Sequence, residues 1–214
     1  MSHAFLTPKS LTIANEIIAW ANSYLVAPNE YVHRPGKNQV VCPYVEKSLS
    51  TNRFYMAFHP EVNGQSEPAI ETILLGYIEE FLRTPPFPLE LLQTKALLVV
   101  FPELPERDTG VLDLVFDRIK PAFVGRGLMV GQFHTNCRQA GVHNGAFLAS
   151  KSPHPLIAIR HMALHDILFL ENDGNAFKEY DIRFNFYFRE PDKIEDFNKH
   201  LIEVYRRAKT RWAR

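Results

Sequence analysis

The chain is poor in cysteine: Cys42 and Cys137 are the only two among 214 residues. Two cysteines in unrelated local contexts do not make a disulfide framework, and a reducing, cytoplasmic setting is expected. Charge of one sign is missing too. Lys plus Arg number 24 and Asp plus Glu number 24, so no global field favours nucleic acid or an acidic membrane surface. No apolar run approaches the roughly 20 residues a membrane-spanning helix needs. The opening MSHAFLTPKSLTIANEII has no basic stretch followed by an apolar region, which argues against a signal peptide. There is no Gly-x-Ser-x-Gly elbow, Walker loop or Gly-x-Gly-x-x-Gly after a strand. Serine hydrolysis, phosphoryl transfer and dinucleotide binding lose ground for that reason.

What is present reads as one globular α+β domain over residues 1–214, long enough for one sizeable core. A helix is predicted over 7–26, with Pro8 near its start and Leu11, Ile13, Ile17, Ile18, Trp20, Ala21 and Leu25 on a broad apolar face. APNEYVHRPGKNQVVCPYV is a turn-rich loop. RFYMAFH alternates as a strand. Ser66 is expected to cap a helix over SEPAIETILLGYIEEFLR, with Ile70, Ile73, Leu74, Tyr77, Ile78, Phe81 and Leu82 on its buried stripe. KALLVVF has the continuous apolar character of a strand covered on both faces. Asp108 is expected to cap TGVLDLVFDRIKPAFVG, which Gly125 and Gly127 close, and LMVGQFH is a third strand.

The C-terminal third is less regular. SPHPLIAIRHM fits a helix opened by Ser152 and Pro153, or an extended segment, with the helix preferred. NAFKEYDIRFNFYF is ambiguous between helix and strand. KIEDFNKHLIEVYRRAKTRWA, residues 193–213, is a final helix whose basic end suits the helix dipole better than it suggests nucleic-acid binding. The expected architecture is helices packed on a small mixed β-sheet, a single-layer sandwich with its core between residues 40 and 170.

Five of the nine histidines fall in GLMVGQFHTNCRQAGVHNGAFLASKSPHPLIAIRHMALHD: His134, His143, His154, His161 and His165. Imidazoles bind zinc, non-haem iron and haem iron. His161 and His165 have i, i+4 spacing if their segment is helical. His134 ends the third strand, where α/β sheets commonly build sites, and stands three residues before Cys137, a spacing compatible with zinc. The paired Cys-x-x-Cys of a structural zinc site and the His-Glu-x-x-His of a zinc hydrolase are both absent. His154, between prolines, reads as a loop residue, and His165 as part of a turn. His134, His143 and His161 stay open between ligation and hydrogen bonding in a loop that a rigid scaffold presents. Arg160 interrupts an apolar segment and needs an anionic partner, either an acidic side chain or helix end, or a carboxylate on a ligand. Arg34 has the same two readings. Cys42 is either a small core residue or a thiolate able to ligate haem iron.

RPGKNQVVCPYVEKSL, ALLVVFPEL and the histidine-rich stretch together resemble an uncharacterised family of bacterial proteins, often encoded beside natural-product genes. Its signature runs Cys-Pro-aromatic, Gly-Leu-Met-x-Gly-x-Phe-His, His-Asn, Ser-Pro-x-Pro-Leu and Ile-Arg-His-Met. The likeness spans roughly residues 33 to 170, with Thr135 and Lys151 as departures from proline and arginine. More distantly, the layout is similar to the YqcI/YcgG-type haem proteins, which hydroxylate guanidino nitrogens. That resemblance implies a haem b pocket here and an oxygenase or N-hydroxylase acting on an amino-acid-like small molecule, with an electron-transfer partner. His161, His143, His134 or Cys42 would be the axial donor, Arg160 and Arg34 would meet the propionates, and His134 and His143 would deliver protons. The alternatives are a zinc or non-haem iron enzyme built on His134, His143 and His161, and a non-catalytic accessory protein.

Overall fold

A computed structural model describes residues 7–29, 39–64, 66–190 and 199–212. The first helix, α1 (Pro8–Trp20), starts where Thr7 accepts a hydrogen bond from the Ser10 N–H and Pro8 takes a position that needs no donor. It continues as a π-helical stretch, Ala21–Val26, so the predicted 7–26 element is present with one change of winding. Leu11 and Ile18, expected on the apolar face of this helix, are exposed instead. A short helix α2 (Val45–Ser50) follows the turn-rich stretch and overlaps it only at Val45.

Four strands form one mixed sheet in the order β1-β2-β4-β3: β1 (Phe54–Phe58), β2 (Ala96–Val100), β3 (Leu128–Phe133) and β4 (Leu156–His161). β1 and β2 run parallel, joined through α3 (Glu67–Arg83), whereas β4 lies antiparallel to both β2 and β3. α4 (Val111–Gly125) joins β2 to β3. The α+β class and the mixed sheet are as the sequence suggested, with helices on both faces of the sheet.

Side-chain alternation sorts the core into layers. Leu97, Val99, Leu128, Val130, Ile157 and Ile159 face α3 and α4, meeting Ile70, Leu74, Leu112 and Val115. Leu98, Val100 and Leu156 face the other way, against Ile13 and Ile17 of α1. Enclosing one such aliphatic side chain is worth about 1.5–3 kcal/mol. A third apolar cluster gathers α5 (Ile167–Leu170), α6 (Gly174–Arg189) and α7 (His200–Trp212) around Met129, Met162 and Tyr180. The basic end of α7 is consumed in that docking: Arg207 pairs with Glu171, Lys209 with Asp181, and Arg211 donates to Asn172. The predicted start of this helix, at residue 193, lies outside the described residues.

Several local expectations shift by a residue or two. Ser66 occupies the N-cap position of α3 but makes no side-chain capping bond. Asp108 lies in a 3-10 turn, and Gly110 takes the N-cap of α4. α4 ends as expected: Gly127 has φ 71°, and a Cβ there would lie 2.6 Å from Arg183 Nε. Among the described residues, no helix is long and apolar enough to cross a membrane.

One difference changes the chemistry. Residues 156–161 form a strand, not the preferred helix. β4 sits between β2 and β3, so both of its backbone edges are paired and both faces covered, which makes PLIAI a continuous apolar run. As neighbours on a strand, Arg160 and His161 point to opposite faces. His161 turns to the α3 side, where its ring lies 5.1 Å from that of Phe81. There Lys95 donates to the carbonyls of Phe81 (2.7 Å) and Thr84 (2.5 Å) at the end of α3. His161 Nε2 is buried with no hydrogen-bond partner among the described residues.

Burial, helped by the Lys95 charge, pushes His161 down from 6.5 to about 4. The fold therefore favours the neutral ring. Between those values the unfolded chain binds more protons than the folded one, so this contribution is complete above pH 6.5 and is lost as pH falls towards 4. Urea-unfolding midpoints should drop more steeply over that interval for the wild-type chain than for His161→Leu. Parallel curves would contradict this account of the residue.

Candidate functional site

The opposite face of β4 carries a polar junction built from four separate parts of the chain. Its centre is Arg160, which donates from one guanidinium nitrogen to Asp166 Oδ2 at 2.7 Å and from the other to Asp166 Oδ1 at 2.5 Å. It also donates to the His161 carbonyl at 3.0 Å. Asp166 in turn accepts from the Ala163 N–H at 2.7 Å, closing the turn that follows β4. Of the two partners considered for Arg160, the protein supplies the acidic side chain. Burial opposes the guanidinium charge, and Asp166 more than offsets it, so the pKa is raised and the arginine stays charged.

The Arg160 guanidinium carbon lies 4.9 Å from the centre of the Tyr44 ring, a cation–π arrangement. Tyr44 is brought there by the Cys42–Pro43 turn, where the Cys42 N–H bonds to the Leu25 carbonyl. Cys42 packs half-buried against Ala21, Leu25 and Val45, as a small hydrophobe does. Burial first, then the Asp166 charge, pushes the Tyr44 phenol up, so it keeps its proton.

Beyond Tyr44 lies a row of imidazoles. Tyr44 Oη is 3.4 Å from His165 Nδ1. The His165 ring is 6.5 Å from that of His200, and His200 is 6.1 Å from His143. Burial, with the neighbouring His200, pushes both His165 and His143 down, so both favour the neutral ring. The turn bearing His165 is held from below by Tyr180, whose hydroxyl donates to the Leu164 carbonyl.

The residues singled out in the sequence are therefore divided among distinct places. Cys42, His143 and Arg160 meet at the junction. His161 faces the other side of the sheet, for the strand reason given above. His134 shares that side but stands at the far end of β3, six residues beyond Leu128, the partner of His161. At about 3.3 Å per residue that is roughly 20 Å away. His134 Nε2 there lies 3.2 Å from Asp113 Oδ1. His154 pairs with Glu16 at 2.5 Å, and Arg34 lies outside the described residues. A haem with His161 on the iron and Arg160 at a propionate does not fit this arrangement, because the sheet lies between the two side chains. Nor do His134, His143 and His161 converge on one ion. Two surface hollows, of about 520 and 440 Å³, are lined by Glu203, Arg206, Arg207, Thr210 and Arg211 and by Pro105, Glu106, Arg107 and Asn136, without a histidine in either.

Sequence reasoning missed two members of the junction. His165 stood only as a turn residue, although the Asp166 beside it was a visible partner for Arg160. His200 carried no local signal, since its place depends on how α7 docks.

Removing one member of a buried ion pair strands the other. Asp166→Ala should cost about 3–5 kcal/mol of stability, whereas a double variant Arg160→Met, Asp166→Leu should recover part of it. Denaturant unfolding of the three proteins checks this, and a near-neutral Asp166→Ala would contradict it.

No curated protein and no solved structure matches the chain. Residues 14–195, most of its length, match the model of a family described as a domain of unknown function, DUF6875, and the chain belongs to that family.

Proposed function

We propose that the chain is a non-haem metal-dependent enzyme acting on a small molecule, with zinc or iron held by His143, His165 and His200. The observation that carries this reading is a row of three imidazoles from three distant segments, His165, His200 and His143, whose successive ring centres lie 6.5 and 6.1 Å apart. Rings that share one tetrahedral ion have centres roughly 5–6 Å apart, given metal–nitrogen bonds of about 2.0–2.1 Å. Ligation requires the outer two rings to turn in towards a common point, and His143 and His200 are exposed enough to reorient.

The surroundings favour the same assignment. His165 Nδ1 lies 3.4 Å from the Tyr44 hydroxyl, and an outer partner of this kind orients a ligating histidine. The lowered pKa values of His143 and His165 mean that few protons need displacing at neutral pH. Three protein ligands leave a position open, the pattern of catalytic rather than structural sites. A bound ion there supplies Lewis acidity towards a substrate oxygen or a water molecule. Tyr44, kept protonated, is placed to hold a proton beside it.

Haem b, expected from the distant resemblance, asks for an apolar slot and one or two axial donors. The junction offers three imidazoles, a phenol and an ion pair, which suits a bare ion better. The test is elemental analysis of dialysed protein, alongside titration with haemin. Wild-type protein should retain one equivalent more zinc or iron than His143→Ala, His165→Ala, and should show no Soret band. Equal metal content in the two proteins would overturn the proposal. A Soret band that disappears in the double variant would overturn it in favour of haem.

A further inference from the structure

We propose that Asp113, His134 and Cys137 form a separate zinc site that clamps the β3–β4 connection onto α4. Asp113 lies in the first turn of α4, His134 directly follows β3, and Cys137 is turned back by its N–H bond to the His134 carbonyl at 3.1 Å. The three ligand atoms all lie within 4.8 Å of one another.

The size of the triangle supports an ion. Bonds of about 2.0–2.2 Å to nitrogen and oxygen and 2.3 Å to sulfur, set at tetrahedral angles, give an N···O edge of ~3.4 Å and an S···O edge of ~3.6 Å. The observed edges to Asp113 Oδ1 are 3.2 Å from His134 Nε2 and 3.9 Å from Cys137 Sγ. Gln132 Nε2 lies 3.1 Å from that same oxygen. Turned by 180°, this amide would present its oxygen beside the Asp113 carboxylate as a candidate fourth donor, the number that closes a structural site.

Hydrogen bonding alone is a poor account of this cluster. A thiol at 3.9 Å from a carboxylate oxygen gains little. His134 and Cys137 are each only 1% exposed, so the cluster is withdrawn from water. A zinc ion supplies two positive charges against one thiolate and one carboxylate, and the buried site becomes neutral. The thiolate and imidazole select zinc over magnesium or calcium. The Asp113 side chain is 44% exposed and gives the ion a route in.

The clamp has a mechanical purpose. The connection from 134 to 155 is long for an antiparallel pair and carries His143 near its middle. Its far half is already pinned by Trp20, which donates to the Lys151 carbonyl at 3.0 Å, and by Tyr24, which donates to the Leu148 carbonyl at 2.6 Å. Zinc at His134 and Cys137 would fix its near half to a helix.

The experiment is cobalt titration of the chelator-treated full chain, read in the near ultraviolet. A thiolate-to-cobalt charge-transfer band should appear, be displaced by zinc, vanish in Cys137→Ser and persist in His143→Ala, His165→Ala. That persistence separates this site from the histidine junction. Asp113→Asn, which keeps the side chain's shape, should lower cobalt affinity by at least the roughly tenfold that even an outer-shell change costs. No band in the wild-type chain would overturn the proposal, as would a band that survives Cys137→Ser and is lost in Cys42→Ser. If Cys137→Ser does not fold, Asp113→Asn decides: unchanged cobalt affinity overturns the clamp.

Discussion

The polar half of this protein depends on the bidentate pair between Arg160 and Asp166. As a source of stability such a pair is modest, because withdrawing both charges from water offsets most of their attraction. What it supplies is position. Asp166 cannot hold Arg160 and the Ala163 N–H together unless the chain leaves β4 in one tight turn. That turn sets where His165 stands. Arg160, held flat by two parallel bonds, becomes the surface on which the Tyr44 ring lies. Loosen the pair and the tyrosine, the turn and the first imidazole lose their common reference.

The sheet then divides the chemistry. Strand alternation sends Arg160 to the α1 side and His161 to the α3 side, and the same rule places Ala158 and Leu156 with the former and Ile159 and Ile157 with the latter. Adjacent polar residues in the sequence thus belong to unrelated environments. On one face a charged arginine organises a cluster open to solvent. On the other a neutral imidazole fills a space beside Phe81 and the lysine that ends α3.

Elements with a long, one-sided apolar pattern were legible in the sequence. α3 announced itself through Ile70, Leu74 and Ile78, and Gly127 marked the end of α4, where its φ of 71° favours a residue without a Cβ. β4 was not legible. A short apolar run is compatible with a buried strand or a buried helix, and length is a weak arbiter when prolines sit on one side and polar residues on the other. The paired edges that decide in favour of a strand are contributed by Ala96–Val100 and Leu128–Phe133, at distances no local pattern encodes. Misjudging that element also misjudged the site, since i, i+4 spacing joins His161 to His165 on a helix and parts them on a strand with a turn. Of the candidate site, Cys42, His143 and Arg160 were visible as residue types in unusual surroundings; His200 was not, because its role comes from the docking of α7.

Counting histidines says less than asking what faces each ring. His161 meets an aromatic ring and a cation, so it stays neutral and contributes packing. His134 meets a carboxylate, an amide and a thiol, a set of donors whose spacing matches a small ion. His165 meets a phenol on one side and a row of two further imidazoles on the other. The three rings have the same intrinsic basicity and differ in what surrounds them. It is the third setting, anchored by Arg160 and Asp166 and open to solvent, on which the proposed metal chemistry rests.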